Sequence, residues 1–85
     1  MKINKQPYYV YMLECVDGSL YTGIAIDVNK RLVQHMAGTA SRYTRAHKAK
    51  KIVYSKLYAD KSTALKREVA IKKLSRNYKK ELIQN

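Results

Sequence analysis

"YYVYMLECVDGSLYTGIAIDVNKRLVQH", residues 8–35, decides the fold. Tyr8 to Cys15 and Leu20 to Ala25 are rich in aromatic and branched residues and flank the turn signal Val16-Asp17-Gly18-Ser19, so they form a hairpin. Its facing depends on the turn. A two-residue Asp17-Gly18 turn pairs Cys15 with Leu20 and sends Tyr11 and Tyr21 to opposite faces, because side chains alternate along a strand. A three-residue loop, Val16-Asp17-Gly18 with Gly18 left-handed, pairs Cys15 with Ser19 and puts both tyrosines on one face. Both turns suit Asp-Gly, and the choice decides whether the two phenols share a site.

After the hairpin, Asp27 caps a helix that Gly38 ends. Val28, Leu32 and Met36 recur every four residues and form its buried stripe, with Arg31 and His35 at one edge where they reach over the sheet. Thr39 to Lys51, "TASRYTRAHKAKK", reads as a loop in which Arg42, Arg45, Lys48, Lys50 and Lys51 surround Tyr43 and His47. Ile52 to Tyr58 is a third strand. Asp60 or Ser62 caps a second helix running to about Leu74, and Ser75 caps a short terminal one ending near Ile83. The ββαβαα order describes an α+β fold, a small three-stranded antiparallel sheet flanked by helices, in one domain over residues 1–85 with its core at about 8–83.

Eighteen Lys and Arg against six Asp and Glu give a formal charge of +12, while a 46% hydrophobic fraction argues for a folded globule that carries this charge on its surface. A polyanion, nucleic acid or ribosome, is the expected partner. An anionic membrane fits less well, since no segment pairs a long apolar face with a basic one, and nothing approaches a membrane span. The single Cys15 excludes an internal disulfide and sits in an apolar strand pattern, as a buried, inert thiol does. With no signal-length apolar run before Glu14, an intracellular, cytoplasmic location is expected.

Glu68 is the oddity of the second helix. Ala64, Leu65 and Ile71 mark its apolar face and Glu68 falls inside that arc, so it needs a partner: a cation, a proton or a metal ion. Tyr43 with Arg42, Arg45 and Lys48 forms a basic, aromatic cluster able to stack on bases and grip phosphates.

Tyr9-Val10-Tyr11, then Tyr21-Thr22-Gly23, then Arg31 with His35 four residues on, and Glu68 in a later helix, together resemble the GIY-YIG nuclease domain over nearly the whole chain. Tyr9 stands where the family name has Gly and Thr22 where it has Ile, neither of which supplies a reacting group. The resemblance implies metal-assisted hydrolysis of DNA phosphodiester bonds, with DNA favoured over RNA and single-stranded or structured DNA in repair or recombination as substrate. By position, Tyr11 resembles the tyrosine that takes a proton from the attacking water, and Tyr21 the one that positions water or phosphate. Arg31 resembles the arginine on the scissile phosphate, and His35 a histidine that polarises the site. Glu68 resembles the carboxylate that holds one Mg²⁺ or Mn²⁺, and Asn77 a polar side chain that some members place nearby. Arg31, the metal and His35 are all expected to favour a Tyr11 phenolate. The competing expectation is a non-catalytic nucleic-acid-binding or ribosome-binding module on the same scaffold.

Overall fold

Gly18 settles the turn. In the computed structural model, which describes residues 5–84, the Cys15 N–H donates to the Ser19 carbonyl at 2.8 Å and the Gly18 N–H to the Cys15 carbonyl at 2.9 Å, with Gly18 at φ 83°. That left-handed conformation costs an L-residue with a Cβ but not glycine, so the odd-length loop is the one that forms. Strand β1 (Tyr8–Cys15) and strand β2 (Leu20–Ala25) therefore pair with Tyr11 opposite Gly23 and Leu13 opposite Tyr21, and both tyrosines share a face. Residues 1–4 and 85 of the single unit expected over 1–85 lie outside the described residues.

Strand β3 (Ala49–Tyr58) pairs antiparallel with the other side of β1, giving the order β2-β1-β3 and leaving β2 at an edge. One face packs Tyr11, Leu13 and Ala49 against Val28 and Leu32 of helix α1 (Val28–Met36). The opposite face packs Val10 and Met12 against Ala64 and Ile71 of helix α3 (Lys61–Lys72), with Leu82 and Ile83 of helix α4 (Arg76–Gln84). Asp27 caps α1 by accepting from the Lys30 N–H, and Asp60 rather than Ser62 caps α3 by accepting from the Thr63 N–H. Ser75 Oγ accepts from the Tyr78 N–H at 3.4 Å, and Arg76 Nη2 ties α4 to the hairpin by donating to the Gly18 carbonyl at 2.7 Å.

Three expectations are corrected. The stretch expected to be a loop contains helix α2 (Arg42–His47), capped by Ser41, and β3 begins at Ala49 rather than Ile52. Met36 is 60% exposed; His35 takes the inward place, 2% exposed, because the inner face of α1 turns its last residues onto the tyrosines. Leu65 is 40% exposed, and the inner face of α3 runs through Ala64, Glu68 and Ile71, at helical spacings of four and three. Cys15 is buried, and burial pushes its thiol up, as suits an inert residue.

Thr22 carries a cost. Its side chain is 4% exposed, on the Met12 side of β2, and its hydroxyl has no hydrogen-bond partner among the described residues. Thr22→Val keeps the shape and removes the unpaired group, so it should stabilise the fold by about 1 kcal/mol. In a domain of this size that raises the melting midpoint by roughly 4–8 °C; an unchanged or lowered midpoint contradicts it.

Candidate active site

At the β2 edge of the sheet, where the α1 face meets the α3 face, a cavity of about 200 Å³ is lined by Tyr11, Tyr21, Gly23, Arg31, His35 and Glu68. That is space for about six waters. Residues from β1, β2, α1 and α3 thus converge, and each has a local reason to be there. Tyr11 and Tyr21 share a face through the odd-length turn, with ring centroids 6.3 Å apart. Gly23 lies directly across from Tyr11, and a Cβ there would stand 2.8 Å from Tyr11 Oη and 3.0 Å from Tyr21 Cε2. The missing side chain lets the Tyr11 ring cross β2 and carry its hydroxyl into the cavity. Arg31 and His35 follow one turn apart on α1, and Glu68 comes round the edge from α3.

The buried hydrogen bonds form a series. Tyr11 Oη lies 2.8 Å from His35 Nε2, His35 Nδ1 lies 2.6 Å from Thr44 Oγ1, and Thr44 Oγ1 lies 2.8 Å from Ser41 Oγ. Thr44 is fully buried. It is the residue that the sequence reading missed, because a lone threonine between arginines in a basic stretch carries no apolar periodicity. The available signal was Ser41 followed three residues later by a hydrogen-bonding side chain, the spacing of a helix start.

Burial, with the Tyr21 phenol and Glu68 carboxylate adding to it, raises the Tyr11 phenol well above its ordinary value; Arg31 alone pulls it down. The expected pull of Arg31 toward a phenolate is present, but burial outweighs it and favours the neutral phenol. Burial first and Arg31 second lower the pKa of His35, so the imidazole is neutral at pH 7. Because the unfolded chain binds a proton on this histidine near pH 6.5 and the folded chain does so only lower, stability falls as pH drops through about 6.5 and levels off below the folded pKa. Asp17, whose carboxyl is lowered by its hydrogen bonds to His47 and Ser19, acts only below about pH 4. His35→Gln should flatten the limb just below pH 6.5 in a denaturation series over pH 2.5–7.5 and leave the Asp17 limb below about pH 4; an unaltered upper limb contradicts this.

Arg31 Nη1 donates to Gln34 Oε1 at 3.2 Å, and among the described residues no carboxylate pairs with it. It also lines the neighbouring open cleft with Lys30 and Gln34. Glu68 is 15% exposed, and Lys72 Nζ lies 3.5 Å from its Oε2, from a side chain half in solvent. Among the described residues no group of three or more His, Cys, Asp or Glu converges as a metal cluster. Zinc, with its three or four protein ligands, does not fit this donor set. A hard ion that keeps its waters does fit, since one carboxylate in a roomy polar cavity suffices for it beside a phosphate.

Tyr43 extends the aromatic row outward. Its ring stands 5.9 Å from Tyr21 and stacks on His47 at 4.2 Å, and His47 Nδ1 meets Asp17 Oδ2 at 2.5 Å. Arg42 and Arg45 are exposed on α2, and Lys48 leaves that helix at a φ of 64° with its side chain in solvent. Asn77 is not brought to the cavity: it is exposed on α4 and absent from the lining.

No helix among the described residues is long and apolar enough to cross a membrane. Residues 7–81 match the family model described as GIY-YIG catalytic domain. A UPF0213 protein of Staphylococcus saprophyticus is 45% identical over 76 residues, 89% of this chain and 93% of the relative; one of Staphylococcus epidermidis is 46% identical over 77 residues, 91% and 94%. The solution NMR structure of the UPF0213 protein BH0048 from Bacillus halodurans is similar at a TM-score of 0.59 and 38% identity, over 92% of this chain and 83% of that one. The tyrosine pair, the arginine and the half-buried glutamate stand inside a match that spans most of the sequence, and the chain belongs to the GIY-YIG family.

Proposed function

We propose that this protein is a metal-dependent nuclease that hydrolyses DNA phosphodiester bonds, acting on single-stranded or structured DNA. The observation that carries this reading is the 2.8 Å contact between Tyr11 Oη and His35 Nε2 in a cavity that also holds Tyr21, Arg31 and Glu68. A phenol with a high pKa is a weak base alone, but one that passes its own proton to a neutral imidazole can accept another at the same oxygen. As water attacks phosphorus, its proton goes to Tyr11 Oη and the phenolic proton to His35 Nε2. The bond from phosphorus to the departing alkoxide breaks, and the alkoxide takes a proton from solvent.

Arg31, without an acidic partner among the described residues, offers a planar fork to the phosphate oxygens as charge builds on them. Tyr21 orients the water or the phosphate. Glu68 holds one Mg²⁺ or Mn²⁺, which when bound supplies Lewis-acid stabilisation of the phosphate charge. Arg42, Tyr43, Arg45 and Lys48 grip the strand beside the site, with bases stacked on the Tyr43 ring at about 1–3 kcal/mol each. Phosphate contacts of this kind hold a backbone without reading sequence.

Wild-type protein with Mg²⁺ should cut within a panel of single-stranded, flapped, branched and duplex DNA, and chelation should stop it. If the panel and matching RNAs are all left intact, the catalytic reading is wrong and binding alone remains. A sharper check uses Gly23, whose strand conformation tolerates a side chain although its surroundings do not. Gly23→Ala should fold yet lose about 100-fold in rate, the cost of moving a reacting group by about an ångström; near-normal cleavage contradicts the placement of Tyr11.

A further inference from the structure

The geometry points to Thr44 and Ser41 as positioning residues that hold His35 as the Nδ1–H tautomer, leaving Nε2 as the acceptor that faces Tyr11. This rests on the nuclease reading for its consequence, though not for its chemistry. Thr44 Oγ1 has two neighbours, His35 Nδ1 at 2.6 Å and Ser41 Oγ at 2.8 Å, and as a hydroxyl it donates to one and accepts from the other. Two orders satisfy the series. In the first, Tyr11 O–H donates to Nε2, Nδ1–H donates to Thr44, and Thr44 O–H donates to Ser41. In the second every bond reverses, Nε2–H donates to the phenol, and the buried Tyr11 hydroxyl must find another acceptor.

Hydroxyl chemistry decides between them. A phenol is far more acidic than an aliphatic alcohol and is the stronger donor, while its lone pairs, drawn into the ring, make it the poorer acceptor. The imidazole therefore accepts from Tyr11 and donates to Thr44. Ser41 fixes the far end: its Oγ already accepts from the Thr44 N–H at 3.1 Å as the cap of α2, which holds it where the Thr44 hydroxyl can donate. One serine and one threonine thus start a helix and set a histidine tautomer. The consequence is directional, because only with a bare Nε2 can Tyr11 give up its proton while taking one from water.

The test reads the tautomer directly, by correlating imidazole ¹⁵N with ring protons near pH 7.5 in the full-length protein, with His47→Gln to assign the signals. Wild type should show Nδ1–H with an unprotonated Nε2. Thr44→Val, equal in shape, should move His35 toward the Nε2–H form, and Thr44→Ser should keep the Nδ1–H form. Tyr11→Phe should also keep it, since Thr44 and not the phenol holds the proton in place. In cleavage, Thr44→Val should lower kcat roughly 10–100-fold with KM little changed, the size of effect that follows loss of an outer hydrogen-bond partner of a functional histidine, and Thr44→Ser should restore most of it.

A wild-type His35 in the Nε2–H form overturns the inference, as does a Tyr11→Phe protein that loses the Nδ1–H form. Neither depends on Thr44→Val folding. If wild type cuts no nucleic acid but shows Nδ1–H, retained in Tyr11→Phe, the nuclease reading fails and the tautomer assignment stands.

Discussion

Tyr11→Phe should lower the cleavage rate by about 10²–10⁴-fold, the range that a positioned general base contributes, while leaving the fold intact. The ring stays, and with it the packing against Leu13, Ala25 and Val28. Only the hydroxyl goes, and with it the bond to His35 Nε2. Leaving that nitrogen without its partner costs about 1–3 kcal/mol, which a domain of this length can absorb out of a total stability of roughly 4–13 kcal/mol. Circular dichroism should therefore match wild type, with a lowered melting midpoint. The alternative for the missing activity is direct activation of water by His35. In that case the phenol only occupies space, and Tyr11→Phe would cleave within tenfold of wild type.

How far the sequence reaches can be judged residue by residue. The shared face of Tyr11 and Tyr21 was legible as one of two options, since Asp17-Gly18 serves either turn; the pairing of Cys15 with Ser19 and the left-handed Gly18 decide it. Glu68 was legible because a carboxylate inside an apolar arc contradicts helical patterning, and that contradiction marks the site. The end of α1 was misread for a related reason. Hydropathy favours Met36 for the inner face, yet hydrogen bonds to Tyr11 and Thr44 make a neutral His35 the better buried residue there.

Helix α2 was legible only through the cap spacing of Ser41 and Thr44. With six residues and a single buried side chain, Thr44, it has no stripe for periodicity to detect. Its form is set by a cap and by the histidine beneath it. Burial of the Tyr11 phenol, which overrides the pull of Arg31, depends on packing across three elements and cannot be read from spacing.

Arg31→Ala should reduce the rate by about 10²–10³-fold, as removal of a preorganised donor to a developing oxyanion does. Its stability cost should be small, because the guanidinium bonds only to Gln34 among the described side chains and its loss strands no carboxylate. The loss should fall mainly on kcat. Ground-state affinity is spread over a surface of net charge +12, of which one phosphate contact is a small share, whereas Arg31 is the one Lys or Arg among the described residues that line the cavity where charge builds on the reacting phosphate. Arg31→Lys should recover only part of the rate, since an ammonium keeps the charge but not the fork.

A second readout separates this role from simple attraction of DNA. Arg31 is one of the two causes that lower the pKa of His35, so its removal raises that pKa toward the ordinary imidazole value. If His35 must be neutral to take the proton from Tyr11, the acid limb of the rate profile moves to higher pH in Arg31→Ala. A general fall in affinity with an unmoved acid limb would place Arg31 outside the reacting group of residues.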